Sequence, residues 1–329
     1  MRLTASTTKK ALKKVELRIQ RRGKRFAILD LGTNSIRFDI YELQPKRLTR
    51  ILREKRMVRL GDGVFETGRL TDAAKKRTLK VLREFSRLIK GHGVSSVTAV
   101  GTSALRSASN AKAFIAQVYK DTGIMIQVIS GKEESALIAR GILSHVRMPN
   151  ELTALIDIGG GSTEFTFCKG NRILKQLSLA LGANRLNQVF LKESPPRMRG
   201  KNLSPDLALR QHLRLELKNL QVWLKGKKCA SVIGSSGTIR NLGKVLKRMG
   251  YKAQPFKRRD LSALVAEMRI LSSKDLQSLP GIEPKRVDLI LAGSILFEES
   301  LYALGAEKFF VTDLALRDGL LLEELEKWL

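Results

Sequence analysis

The run Ile156-Asp157-Ile158-Gly159-Gly160-Gly161-Ser162-Thr163-Glu164 closes one apolar stretch, begun at Leu152, and opens another that reaches Cys168. This pattern predicts a strand, a glycine turn and a return strand. Glycine lets the backbone approach a ligand closely and adopt positive φ. Successive N–H groups then point into one concavity that suits an oxyanion, and Ser162 and Thr163 add hydroxyl donors. Asp157 repels phosphate directly. It fits as a ligand, direct or through water, to a divalent cation that bridges to phosphate. The same programme occurs earlier in the chain. Asp30-Leu31-Gly32-Thr33-Asn34-Ser35 matches in its Asp, Gly and Ser positions at an offset of 127 residues (30 to 157), again between two strand-like runs. The expected architecture is a duplicated α/β unit whose copies face one another across a cleft.

Composition narrows the function classes. The 329 residues are 43% hydrophobic, enough for a core and too many for a wholly disordered chain. The net charge of +30 implies an anionic partner: nucleic acid, membrane surface, nucleotide or inorganic polyanion. Aromatic residues are only 5%, which argues against a base-stacking platform for nucleic acid. Two cysteines, Cys168 and Cys229, exclude a disulfide scaffold and a Cys-rich zinc site. They read as buried thiols in a reducing compartment. His92, His145 and His212 share no metal-ligand spacing. No run approaches the roughly 20 apolar residues of a membrane helix, and Leu289 to Phe297 is broken by Gly293 and Ser294. Residues 1–25 carry ten Lys/Arg and one acid, Glu16, without the apolar centre of a secretory signal. The expected location is cytoplasmic.

Periodicity predicts an N-terminal helix over 9–22, then strands over 26–31, 36–43 and 48–60. A long amphipathic helix opens at Thr71 and Asp72. A strand over 97–100, a helix over 110–119, a strand over 124–129 and a helix over 132–145 follow. The second half repeats the start with strands over 152–158, 163–168 and 173–179. Helices are expected over 183–191, 205–224, 239–249, 261–271, 286–304 and 315–328, with strands over 230–233 and 308–312.

Two further motifs carry polar chemistry. Gly234-Ser235-Ser236-Gly237-Thr238 reads as a loop between a strand and a helix, which is again an anion site. Its spacing is neither that of a P-loop nor that of a dinucleotide fingerprint. In Ser130-Gly131-Lys132-Glu133-Glu134-Ser135, both acids fall in the first turn of a predicted helix. They complement the helix dipole, or one of them orients or deprotonates water. Neighbouring helical residues point roughly 100° apart, so only one acid serves; the residues alone leave open which.

Taken together, these motifs resemble the exopolyphosphatase / guanosine pentaphosphate phosphohydrolase family of the actin, sugar-kinase and Hsp70 superfamily. The likeness runs from about Arg25 to the C-terminus. It also includes Val58-Arg59-Leu60-Gly61, Gly101-Thr102 through Arg106, Leu181-Gly182-Ala183-x-Arg185-Leu186, Leu279-Pro280-Gly281 and Leu316-Arg317-x-Gly319-Leu320. The resemblance implies an α/β fold of two ribonuclease-H-like domains flanking an active-site cleft. The expected division is a basic extension over 1–24, a first domain over 25–138 and a second over 139–314. The C-terminal helix 315–329 is expected to pack back on the first. Longer relatives add a C-terminal domain of HD type; this chain has no His-Asp pair to build one and is expected to be the short form.

The implied reaction is hydrolysis of the terminal phosphoanhydride of inorganic polyphosphate by metal-assisted attack of water. Guanosine pentaphosphate is the alternative substrate, and a binding regulator without hydrolysis is the second alternative. The resemblance makes Glu134 the catalytic base, with Glu133 structural, and gives Asp157 and Glu164 catalytic roles as metal and water positioners. Phosphate contacts are expected from Gly32, Thr33, Asn34, Ser35, Arg106, Gly159, Gly160, Gly161, Ser162, Thr163, Gly234, Ser236, Gly237 and Thr238. Asp30, Asp157 and Glu164 are the expected ligands of Mg²⁺ or Mn²⁺. The expected partner is polyphosphate or guanosine pentaphosphate, with a homodimer admitted and no specific nucleic acid or membrane. Basic clusters over Lys46–Arg59, Arg197–Lys228 and Lys244–Arg259 extend an anion track or are solvated surface.

Overall fold

The computed structural model describes residues 23–45, 47–196, 204–251 and 254–327. The expected helix over 9–22 and all but the last two residues of the basic extension lie outside the described residues. The chain divides into two compact units, one running to Arg147 and resuming at Leu314, the other Met148–Asp313. The first unit holds β1 (Lys24–Leu31), β2 (Ser35–Gln44), β3 (Arg47–Met57), α1 (Val64–Thr67), α2 (Asp72–Gly91), β4 (Ser96–Gly101), α3 (Ser103–Ser107), α4 (Ala111–Thr122), β5 (Ile126–Val128) and α5 (Gly131–Leu143). The second holds β6 (Thr153–Ile158), β7 (Thr163–Lys169), β8 (Arg172–Leu179), α6 (Ala183–Val189), α7 (Pro205–Leu224), β9 (Ser231–Ser235) and α8 (Ser236–Arg248). It continues with β10 (Phe256–Lys257), α9 (Arg258–Met268), α10 (Ser273–Ser278), α11 (Val287–Ala303) and β11 (Lys308–Val311). Helix α12 (Leu316–Glu326) returns to the first unit.

The two sheets share one topology. The first has the order β3-β2-β1-β4-β5 and the second β10-β11-β9-β6-β7-β8. In each, an antiparallel meander (β1-β2-β3, β6-β7-β8) is extended by parallel strands on the far side of its first member. This is the ribonuclease-H-like arrangement, made twice, with β10 added at the second sheet's edge. The duplicated loops therefore stand at equivalent strand ends.

The cores follow from the apolar faces. Thr71 caps α2 by accepting from the Ala74 N–H at 3.2 Å, and the helix buries Leu79, Leu82 and Phe85. Phe85 stacks on Phe38 of β2, ring centres 4.5 Å apart. In the second unit α11 buries every residue from Leu289 through Leu301, mostly apolar as in a helix surrounded by protein, with the buried Glu298 and Glu299 paired to Arg210 and Arg214. Among the described residues no helix is long and apolar enough to cross a membrane. Cys168 and Cys229 are free and buried; burial pushes their thiols up to about 11 and about 12.

The observed boundary differs from the expected 138/139. That position falls inside α5, and the break comes after Arg147. The reason is the packing of α5 on α12. A Cβ on Gly141 would stand 2.8 Å from the Gly319 nitrogen, and one on Gly319 would stand 2.6 Å from the Leu137 carbonyl carbon. Two helices this close need glycine at the crossing. Glu324 of the same helix accepts from Ser96 Oγ at 2.9 Å and Thr98 Oγ1 at 2.8 Å, which pins α12 to β4.

Candidate active site

Asp30 is the penultimate residue of β1, and after Leu31 the chain turns through Gly32-Thr33-Asn34 into β2 at Ser35. The Gly32 N–H donates to the Ser35 carbonyl at 3.1 Å. The segment after β3 then clamps the turn from outside. The N–H groups of Val58 and Arg59 donate to the Asn34 carbonyl, and that of Gly61 to the Thr33 carbonyl. The expected third strand to Leu60 accordingly stops at Met57, because residues 58–61 serve the turn. Among the described residues no backbone carbonyl accepts from the N–H of Thr33 or Asn34. Asn34 Oδ1 is buried without a hydrogen-bond partner. An orphaned buried polar atom of this kind is a place for a ligand.

The second unit repeats the construction. The Gly159 N–H donates to the Ser162 carbonyl at 2.9 Å. The N–H of Ala183 donates to the Gly159 carbonyl, and those of Asn184 and Arg185 to the Gly160 carbonyl. Arg185 Nε reaches the Gly161 carbonyl at 2.8 Å. Gly182 passes so close that a Cβ would stand 2.5 Å from the Gly160 carbonyl carbon. Among the described residues no backbone carbonyl accepts from the N–H of Gly160 or Gly161. The carbonyls of both turns are thus engaged from behind, while two successive N–H groups in each turn have no backbone acceptor among the described residues. Ser162 and Thr163 are buried, and Thr163 Oγ1 donates to the Leu181 carbonyl at 2.6 Å.

The charges differ between the copies. Asp30 faces Arg37 across β1–β2, with Nη1 to Oδ2 at 3.6 Å. At the equivalent register Asp157 faces Glu164 across β6–β7. One loop therefore stands beside a carboxylate–guanidinium pair and the other beside two carboxylates. Burial pushes the Asp30 carboxyl up against the pull of Arg37 and Arg317. Glu164 is 2% exposed and accepts from Ser178 Oγ at 2.9 Å. Asp157 Oδ2 accepts from Ser235 Oγ.

The Ser-Gly-x-Glu-Glu motif starts α5, and the structure separates its two acids. Ser130 Oγ accepts from the Glu133 N–H at 3.2 Å, and Glu133 Oε2 accepts from the Ser130 N–H at 2.7 Å, a capping box. The backbone bond from Ser130 holds the exposed Glu133 carboxyl below the usual carboxylate range. Glu134 turns inward, buried, and its Oε2 accepts from Arg106 Nη1 at 3.0 Å. Arg106 Nη1 also donates to the Ile129 carbonyl at 2.8 Å. Arg106, expected on phosphate, thus holds Glu134. Leu31, Gly101 and Val128 are consecutive partners across β1, β4 and β5. The Asp30 turn, Arg106 and Glu134 therefore gather at the carboxyl ends of the first unit's parallel strands, where α/β sheets bind ligands.

The expected 234–238 loop is absent. Strand β9 runs to Ser235 and α8 begins at Ser236, whose φ of +92° makes the whole turn. Gly234 lies in the strand under Ile239, where a Cβ would stand 2.6 Å from Cγ2. Gly237 lies against the guanidinium of Arg286, 2.5 Å from Nη1 to an added Cβ. Thr238 is buried beside Gly293 of α11. Asp157 and Ser235 are parallel partners, so this junction still stands beside the Asp157 turn. Sequence reading missed Arg37, Ser178 and Arg286, and it read Ser235 only as part of the 234–238 loop, not as the partner of Asp157. Arg37 alone had a local signal, a cation seven residues beyond Asp30 in a strand whose other charges, Asp39 and Glu42, are acidic. Among the described residues no three His, Cys, Asp or Glu side chains converge as a ready-made metal cage.

The comparisons with known proteins agree with this construction. The sequence model described as the Ppx/GppA phosphatase family matches residues 39–328. The chain is 28% identical over 309 residues to Exopolyphosphatase 1 of Mycobacterium leprae, covering 92% of this chain and 90% of that protein. It is similar to the crystal structure of an exopolyphosphatase from Cytophaga hutchinsonii, with TM-score 0.82, 27% identity, and 92% and 98% of the two chains covered. It is also similar to the Ppx/GppA family member of Aquifex aeolicus, with TM-score 0.72, 28% identity, and 93% and 98% covered.

Proposed function

Because the chain belongs to the Ppx/GppA phosphatase family, we propose that it hydrolyses the terminal phosphoanhydride of inorganic polyphosphate and releases orthophosphate. The carrying observation is the duplicated turn with unequal charge: Asp30 beside Arg37, Asp157 beside Glu164. The N–H groups of Thr33, Asn34, Gly160 and Gly161 bind phosphate oxygens in this reading, with the Asn34 amide turned to the same ligand.

The donor set fits a hard divalent cation. Asp157 and Glu164 are two oxygen donors at one register position, and Mg²⁺ is commonly held by one or two carboxylates plus substrate phosphates. We assign them to Mg²⁺ or Mn²⁺ and keep Asp30 as the partner of Arg37. When bound, the cation neutralises charge that grows on the phosphoryl oxygens. Glu134 accepts the proton of the attacking water, and Arg106 fixes the direction of its carboxylate. Ser178 and Ser235 fix Glu164 and Asp157. Phosphoryl transfer needs positioning and charge compensation more than covalent help, which suits a site without histidine or cysteine.

The test is orthophosphate release by the purified protein on polyphosphate and on guanosine pentaphosphate side by side, with Mg²⁺ or with EDTA. Release from polyphosphate that EDTA abolishes and Mg²⁺ restores is expected. No release from polyphosphate overturns the assignment, and release from guanosine pentaphosphate alone replaces it with the alternative substrate.

A further inference from the structure

Strand β3 is the outer edge of the first unit's sheet. It reads RLTRILREKRM and carries Arg47, Arg50, Arg53, Lys55 and Arg56 against one acid, Glu54. Strict alternation would put Arg50 and Arg53 on opposite faces. A bulge prevents this: Ile40 pairs with Leu52 and the next residue, Tyr41, with Arg50, leaving Ile51 over. A bulge of this kind re-aims side chains. Arg50, Arg53 and Lys55 thereby share one face with their partners Tyr41, Asp39 and Arg37, and all three are exposed.

Positive charge dominates that face. Asp39 is fully buried and binds two guanidinium groups, Arg53 at 2.8 Å and Arg317 at 2.9 Å. Arg37, Arg50, Arg53, Lys55 and Arg317 are thus gathered about the strand carboxylates Asp30 and Asp39. Asp318 of α12 is turned to its own helix start, accepting from the Ala315 N–H at 2.8 Å. Lys55 stands directly across from Arg37, which carries the row of cations from β3 toward β2. The row leads to the candidate site, because β3 passes at Met57 into Val58 and Arg59, whose N–H groups clamp Asn34. From Arg50 to Lys55 the strand spans roughly 17 Å.

We propose that this face of β3 is an outlying track for a long linear polyanion, inorganic polyphosphate, leading to the Asp30 turn. The track rests on the proposed substrate, and its test separates the two. Binding of long-chain polyphosphate is measured at two salt concentrations with no turnover required, alongside KM for long chains and for tripolyphosphate. Arg50→Gln/Lys55→Gln should weaken long-chain binding about tenfold and flatten its salt dependence by one to two released counterions. KM for tripolyphosphate should move less than twofold. The charge-keeping Arg50→Lys/Lys55→Arg should retain long-chain affinity. If the double Gln variant does not fold, Lys55→Gln alone should show a smaller loss of the same selectivity. Unchanged long-chain affinity and salt slope in folded variants overturn the track, whose charge would then serve only to block edge pairing. So does wild-type protein that holds single-stranded RNA of equal length as tightly as polyphosphate. Binding without any hydrolysis leaves the track standing and removes the proposed reaction.

Discussion

Adjacent acids at the start of α5 have opposite fates, and the difference is local geometry. Glu133 closes the capping box with Ser130 in solvent, and Glu134 is buried on Arg106. Glu134→Gln should keep the fold and lower kcat by about 10²–10⁴, the usual span for losing a general base. Glu133→Gln should leave kcat within a few-fold and weaken the helix cap instead. Single-turnover rates with melting curves on both variants check this; a crippled Glu133→Gln beside an active Glu134→Gln reverses the assignment. The capping pattern was legible because its partners are three residues apart. The Arg106–Glu134 bond was not, because 28 residues separate the pair and only the β4–β5 pairing brings them together.

Long periodic segments could be read from sequence; short, irregular ones could not. Helix α7 occupies 205–224 as its apolar spacing and Pro205 dictate. Helices α1, α3 and α10 are a turn or two long and carry too little periodicity to register. The 234–238 run was misread because glycine and serine mark loops by composition. Here Gly234 and Gly237 make room for Ile239 and Arg286. Close packing also sets the sharpest prediction for an element. Gly319→Ala adds a methyl 2.6 Å from the Leu137 carbonyl carbon, so α12 must lift from α5. A loss of about 1–3 kcal/mol or more is expected, seen as a melting temperature lower by several degrees. An unchanged melting temperature would show that the crossing has slack.

The duplication was legible at the scale of the whole chain because a 127-residue offset repeats both motif and strand context, and the two sheets follow it. The discontinuity of the first unit was less so: Asp39 and Arg317, separated by 278 residues, meet only when α12 docks. Glu324 makes the same closure on β4. Burial raises its carboxyl, but Lys327, Thr98 and Ser96 outweigh this and hold it below the usual range. A carboxyl lowered on folding stabilises above its unfolded value and loses that contribution as pH falls through the folded one. Glu324→Gln should therefore cost about 1.5–3 kcal/mol near neutral pH, as for hydrogen bonds to a charged group. The gap to the wild type should close below about pH 4. Melting temperatures of both proteins across pH 3–8 check the sign. The returning helix has a consequence for biosynthesis. All of Met148–Asp313 is translated before Leu316 exists, which takes tens of seconds at ordinary elongation rates. Through that interval the nascent first unit displays the apolar bed of Leu316, Leu320 and Leu325 without its cover, and when the interval ends the later-made second unit is the first to have its whole sequence. The ribosome thus delivers the halves in reverse order of completion, and a chaperone that shelters that bed would act on the N-terminal half.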